Sequence, residues 1–172
     1  YLLYIGIMVL ALNIENHLVE VLWKSQVREL YPGKVDFARY MSYTQVGIGF
    51  AAMLASLLLT GNVIRKFGWT ISALLPPIVV LLVGGVFFIS YFAKQTIDVE
   101  QILLFGMTPL ALVAFLGTLH NILTRAFRYS LFDATKELAF TPLSPDSKVK
   151  GKAAIDGVGS RFRKSAEAGM IQ

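Results

Sequence analysis

Four polar residues stand near the start of this 172-residue chain, Asn13, His17, Glu20 and Lys24, and the last three can hold charge or exchange protons. Steps of three and four residues return to one face of a helix with 3.6 residues per turn, so the four fall within about 60° of one another. Asn16 lies at the edge of this stripe, and Glu15 points nearly the opposite way. Glu20 and Lys24 also form an i,i+4 pair in the favourable order. Two chemistries fit them. Glu20 is a buried charge held by Lys24 or another helix in one state and by a different cation in another, or it is neutralised by a permanent structural pair. On the plainer account Lys24 snorkels to water. His17 by itself reads as a hydrogen-bonded interior residue rather than a proton relay, and no second histidine is spaced to complete a metal site.

A second polar face follows much later. Thr118, Asn121, Arg125 and Arg128 stand at spacings of three, four and three residues, again one helical face. The planar guanidinium fork suits phosphate oxygens, so this face is a candidate to hold a polyphosphate chain. Arginine at a helix end also serves topology and complements the helix dipole, and that reading stays open. Beyond it come Pro142 and Pro145, then Lys148, Lys150 and Lys152, then a helical stretch on which Asp156, Ser160 and Lys164 share a face.

The elements that must position these groups are apolar spans. Hydrophobic residues make up 55% of the chain and charged ones 16%, against about 25% charged in a soluble domain. A helix needs about 20 residues to cross the hydrocarbon. Stretches 44–64 and 69–93 satisfy this without one Asp, Glu, Lys or Arg, and 103–123 does so with His120 as its one ionisable group. Stretch 1–23 is a fourth span, apolar at first and polar later, which suits a helix whose second half lines a cavity. A carboxylate at that depth costs roughly 3 kcal/mol or more against lipid, so Glu20 faces a bundle interior or a wet cavity. Kinks are expected at Pro76-Pro77 and at Pro109, because each proline removes a backbone donor. Segment 24–39, with its Pro32-Gly33 turn signal, is expected as a short extramembrane excursion.

Basic residues in short loops set the orientation. Arg65, Lys66, Arg125, Arg128, Lys136 and the three lysines at 148–152 fall on one side, read as cytoplasmic; Lys24, Arg28, Lys34, Arg39 and Lys94 fall on the other. The expected organisation is a single membrane domain, 1–172, with a cytoplasmic loop at 125–152 and a partial cavity-lining helix at 153–172. The chain opens at Tyr1 in an apolar run without a basic flank and is read as an internal piece of a longer protein.

Several chemistries are excluded. The chain has no cysteine, hence no disulfide or thiolate metal site. Gly151-Lys152 lacks the earlier glycine and the following Ser or Thr of a phosphate-binding loop, so nucleotide hydrolysis is not expected. No cofactor, metal or nucleic-acid partner is expected. A rival of another class is a membrane-embedded enzyme acting on a phosphorylated lipid through Arg125, Arg128, Asp133 and Lys136. It requires carboxylates near those arginines to hold a metal, for which only Asp133 and Glu137 are available. A non-catalytic anchor explains the spans but leaves Glu20 unexplained.

Four motifs carry a resemblance: LVEVxWKS at 18–25, NVIRKFGWT at 62–70, RYSLFDATKELAFxPL at 128–143 and KVKGKAAIDxxGSR at 148–161. With these the chain resembles the ATP/ADP translocase family of plastids and obligate intracellular bacteria, nucleotide transporters of major-facilitator-like architecture. The resemblance implies an all-α integral membrane fold, with four transmembrane helices and the start of a fifth. They would be the seventh to tenth helices and the beginning of the eleventh, the front of the C-terminal half of a twelve-helix transporter. It implies exchange of ATP for ADP; proton-coupled nucleotide import and transport of another nucleotide remain alternatives. It implies a nucleotide, the bilayer and the remainder of the same polypeptide as partners, in a bacterial inner membrane or a plastid inner envelope. It marks Glu20 and Lys164 as essential charged positions within helices.

The chain departs from the family pattern at a few places. His17 stands where the family usually has Asn, and Leu22 where it has a hydroxyl residue. After Arg161 the family reads Leu-Gly-Lys-Ser-Gly-Gly, whereas this chain reads Phe162-Arg163-Lys164-Ser165-Ala166-Glu167. Small residues let membrane helices approach closely, so Arg163 and Glu167 change the packing around Lys164. Asn13, His17, Glu20, Lys24, Asn121, Arg125, Asp156 and Lys164 are therefore the candidate substrate-binding or charge-coupling residues.

Overall fold

The computed structural model describes residues 2–96, 107–139, 141, 153 and 157. Its described elements are helices: α1 (Leu2–Leu30), α2 (Lys34–Thr96), α3 (Pro109–Phe127), a π-helical segment (Arg128–Phe132) and α4 (Asp133–Ala139). Four stretches are long and apolar enough to cross a membrane: Gly6–Leu30, Lys34–Leu59, Gly61–Thr96 and Pro109–Leu138.

Helix α1 contains no proline and ends where Pro32 removes a donor; the last bond before the turn runs from Tyr31 N to Val27 O at 2.9 Å. Gly33 O then accepts from Phe37 N at 2.9 Å, which starts α2. The segment read as an extramembrane excursion is thus helical on both sides of a break at Tyr31–Gly33. Contacts across the turn hold the two ends together: Arg28 lies 5.4 Å above the Phe37 ring, and the Tyr31 and Tyr40 rings are 5.2 Å apart.

Helix α2 runs for 63 residues and is broken at one position, Gly68, with φ 76° and ψ 175°. That backbone region is open essentially to glycine alone. The break reverses the chain. Gly47 on the first arm faces Ile122 of α3, and Gly84 on the second arm faces His120 of α3. A straight helix would set Gly47 and Gly84 about 55 Å apart, yet they meet α3 within about 3 Å of rise. The stretch read as the loop NVIRKFGWT therefore turns at a single residue, with Arg65 and Lys66 exposed beside it. Pro76 and Pro77 sit inside the second arm without a further departure from helical angles.

The expectation of a kink at Pro109 is corrected. Pro109 is the first residue of α3, where its missing N–H would be unpaired anyway, and Thr108 caps the helix by accepting from Ala111 N at 3.3 Å. The loop read from residue 125 onward is also revised, because the chain stays helical to Ala139. Trp69 Nε1 donates to Thr135 O at 3.1 Å, which ties α4 to the Gly68 turn. At the opposite end of the bundle Lys94 Nζ reaches Gln26 Oε1 at 2.8 Å and Glu29 Oε1 at 3.0 Å. Arg65, Lys66, Arg128 and Lys136 thus belong to one end of the bundle, and Arg28, Lys34 and Lys94 to the other.

The interior is a cluster of Val19, Trp23, Val27, Phe87, Val113 and Ala114. Trp23 lies against Gly117, where any side chain would strike the indole, and Trp23 Nε1 donates to Ala114 O at 3.1 Å and Thr118 Oγ1 at 3.0 Å. This seats α1 against α3. The outer face of the first arm of α2 presents Val46, Phe50, Met53, Leu57 and Leu58. For a chain that crosses a bilayer, such a face meets lipid or further helices.

Candidate functional site

Glu20 sits between two cations from different helices. Its Oε1 lies 2.7 Å from Lys24 Nζ on α1 and 3.7 Å from Arg125 Nη2 on α3. Arg125 Nη1 also reaches Gln45 Oε1 of α2 at 3.4 Å, so three elements meet here. Glu20 pairs with Lys24 because four residues make one helical turn. It meets Arg125 because α1 and α3 run antiparallel, and the long guanidinium stem reaches back from the end of α3. The side chains of Glu20, Lys24 and Arg125 are 24%, 39% and 27% exposed, which leaves them open to an incoming ion. Two cations share one carboxylate, so the cluster carries a net positive charge within a largely apolar bundle.

Below this cluster the wall is polar and largely hydrogen-bonded within itself. The Tyr40 hydroxyl is hydrogen-bonded to Thr118 Oγ1, whose own hydroxyl donates to Ala114 O at 2.9 Å. Asn121 is fully buried; its Nδ2 donates to Gly117 O at 2.9 Å while its Oδ1 has no partner among the described residues. Asn121 therefore faces the packed interior and does not join Arg125 at the cluster.

Toward the end of the bundle that holds the Gly68 turn there is a cavity, lined by Val9, Leu12, Asn13, Asn16, Val80 and Arg128 among others. Arg128 Nη1 reaches Asn13 Oδ1 at 3.5 Å, a long contact that leaves the guanidinium most of its donors. Arg128 also begins the π-helical segment, a local change of winding often found at functional sites. The stripe read from the sequence is thus divided. Glu20 and Lys24 engage Arg125, Asn13 engages Arg128, and His17 is half-buried between them without joining either cluster. Asp156 and Lys164 lie outside the described residues.

One pair was not anticipated. Glu15, which points away from the stripe, accepts from or donates to His120 Nε2 through Oε1 at 2.9 Å. His120 is fully buried and the Glu15 side chain is 15% exposed. The signals available in the sequence were the single ionisable residue of span 103–123 and a second carboxylate on the first span. Their separation of 105 positions hid the pairing. Gln45 was missed for the same reason, since a lone glutamine on an apolar helix carries no pattern.

Comparisons with known proteins identify the family of the chain as a whole. A family model described as TLC ATP/ADP transporter matches residues 1–172. "ADP,ATP carrier protein 2" of Chlamydia pneumoniae is 51% identical over all of this chain, which covers 32% of that protein. "ADP,ATP carrier protein 1" of Rickettsia conorii is 39% identical over 98% of this chain and 34% of its own length. The chain thus spans about a third of the curated relatives it matches. No solved structure matches it. A chain of four membrane-crossing helices with a charged cluster inside them, matched from end to end by this model, belongs to the TLC ATP/ADP transporter family.

Proposed function

We propose that the polypeptide of which this chain forms part moves adenine nucleotides across a membrane, exchanging ATP for ADP by alternating access. The observation that carries this reading is Glu20 held between Lys24 and Arg125, at 2.7 and 3.7 Å. A nucleotide with three or four negative charges needs cations inside the membrane, and those cations need a counter-charge when the nucleotide is absent. Glu20 supplies that counter-charge in the empty state. Arriving phosphates compete with it for Arg125 and Lys24, and its release couples occupancy to the α1–α3 contact. Substrate and helix position are thereby linked through one differential interaction, as a shift between two states requires.

Asn13 and Arg128 form a second polar position beyond Arg125, and Asn121 and His17 belong to the wall between them. Lys164 enters the same proposal on the resemblance, and Asp156 on a spacing that gives it the same helical face as Lys164. The proposed partners are ATP and ADP, the bilayer and the remaining helices of the polypeptide, in a bacterial inner membrane or a plastid inner envelope; the relatives named above are bacterial. The phosphorylated-lipid enzyme is set aside by membership of a transporter family. Asp133, which that reading needs as a metal ligand, is 3.9 Å from Lys136 Nζ.

The test is uptake of labelled ATP by cells expressing the full-length parent protein, with ADP loaded inside or absent, beside a Glu20→Gln variant. Exchange predicts uptake that depends on internal ADP and collapses in the variant. Uptake without internal ADP would replace exchange by proton-coupled import. Correct insertion with no uptake of any nucleotide would end the nucleotide reading.

A further inference from the structure

We propose that Glu15 and His120 together form a proton-binding site in the interior of the bundle, separate from the cluster around Glu20. The two side chains meet at 2.9 Å, His120 is fully buried, and each has one further polar atom, Glu15 Oε2 and His120 Nδ1, buried without a partner among the described residues. With a neutral imidazole donating from Nε2, the pair holds a net negative charge and two unpaired acceptors. Adding one proton makes it neutral overall, whether the proton rests on Nδ1 or on the carboxyl. The two orphaned acceptors, His120 Nδ1 and Glu15 Oε2, each offer that added proton a place inside the bundle. The balanced step is the uptake of one proton from water and its return.

Among the described residues, the groups facing the pair supply no competing charge. From α3, Thr124 Oγ1 lies 3.4 Å from His120 Nε2; the arginines of α3 are engaged elsewhere, Arg125 with Glu20 and Gln45, Arg128 with Asn13. From α1, Glu20 and Lys24 pair with each other on another face. From α2 the facing residue is Gly84, which presents no side chain, and a methyl group there would meet Glu15 Oε1. The charges of α2, which are Lys34, Asp36, Arg39, Arg65, Lys66 and Lys94, stand toward the ends of its two arms. Glycine at 84 is what gives the carboxylate room beside the imidazole.

The pair sits on the α1–α3 contact that the nucleotide proposal uses, yet its test does not depend on transport. The first readout is hydrogen–deuterium exchange at the imidazole carbon of His120 in the full-length wild-type protein, followed by mass spectrometry across about pH 5 to 8, the range in which histidine commonly changes charge. A sigmoidal change of rate with pH is expected. A rate that stays flat overturns the proposal.

The second readout is the pH profile of nucleotide uptake in Glu15→Gln. Glutamine keeps an oxygen for the imidazole N–H but carries no charge, so a purely structural hydrogen bond would survive it and leave the profile unchanged, which also overturns the proposal. Loss of the pH dependence is the expected result. Gly84→Ala, which displaces the carboxylate while deleting neither partner, is expected to do the same. Absence of all nucleotide uptake would count against the nucleotide reading, and the imidazole exchange would still decide the proton site.

Discussion

At the scale of single residues, Arg125 contributes the charge that α3 brings to the cluster, and its removal affects binding of an anion more than stability. Arg125→Ala is expected to raise the KM for ATP about tenfold, equivalent to about 1.4 kcal/mol, as measured from initial rates of labelled uptake. Arg125→Lys keeps the charge but not the planar fork and is expected to fall between the two. Trp23 acts differently, because its indole N–H bonds both Ala114 O and Thr118 Oγ1. Trp23→Phe keeps most of the packing and loses those bonds, costing about 1 kcal/mol for each, to be read from thermal unfolding of the purified parent. Glu20, Lys24 and Arg125 were legible as candidates because charge in an apolar span is costly and therefore purposeful. Glu15 and His120 were not, since nothing local to either residue records the other.

At the scale of elements, the reversal of α2 rests on backbone geometry at Gly68 rather than on contacts. Among the described residues, none beyond its immediate chain neighbours comes within 4 Å of a Cβ at this position, so a substitution acts through φ. Gly68→Ala is expected to destabilise the protein by about 1–3 kcal/mol. Gly61 supplies the control, being helical with equally open surroundings. Gly61→Ala is expected to be neutral or to stabilise by up to about 1 kcal/mol. Thermal midpoints of the two variants decide the matter, and equal midpoints would refute the assignment. The glycine at 68 was visible as turn chemistry, but the sequence does not distinguish a four-residue loop from a one-residue reversal. Pro109 shows the same gap, because a proline within an apolar run reads as a kink or as a helix start until the preceding residues are placed.

At the scale of the whole molecule, both arms of α2 pack on the same stretch of α3, a closure that a chemical cross-link can read. A parent protein free of other cysteines and carrying Gly47→Cys with Ile122→Cys is expected to be bridged by a short bifunctional thiol reagent, seen as altered migration after proteolysis between the two sites. A Cβ at position 47 would lie in ordinary van der Waals contact with the end of the Ile122 side chain. If alternating access separates these arms, saturating nucleotide changes the rate of bridging. Bridging that never occurs would contradict the packing of the first arm on α3.

The sequence by itself determined the class of the protein and the presence of four apolar stretches long enough to span, though not where their helices end. Hydrophobic thickness imposes a length of about 20 apolar residues that no tertiary context can evade. It also determined the pairing of Glu20 with Lys24, because helical spacing is local. The tertiary structure alone decided which cation joins them, which face Glu15 uses, and how the chain reverses at Gly68. Those outcomes depend on how antiparallel helices register against one another, and register is set by packing such as Trp23 against Gly117, ninety-four positions apart.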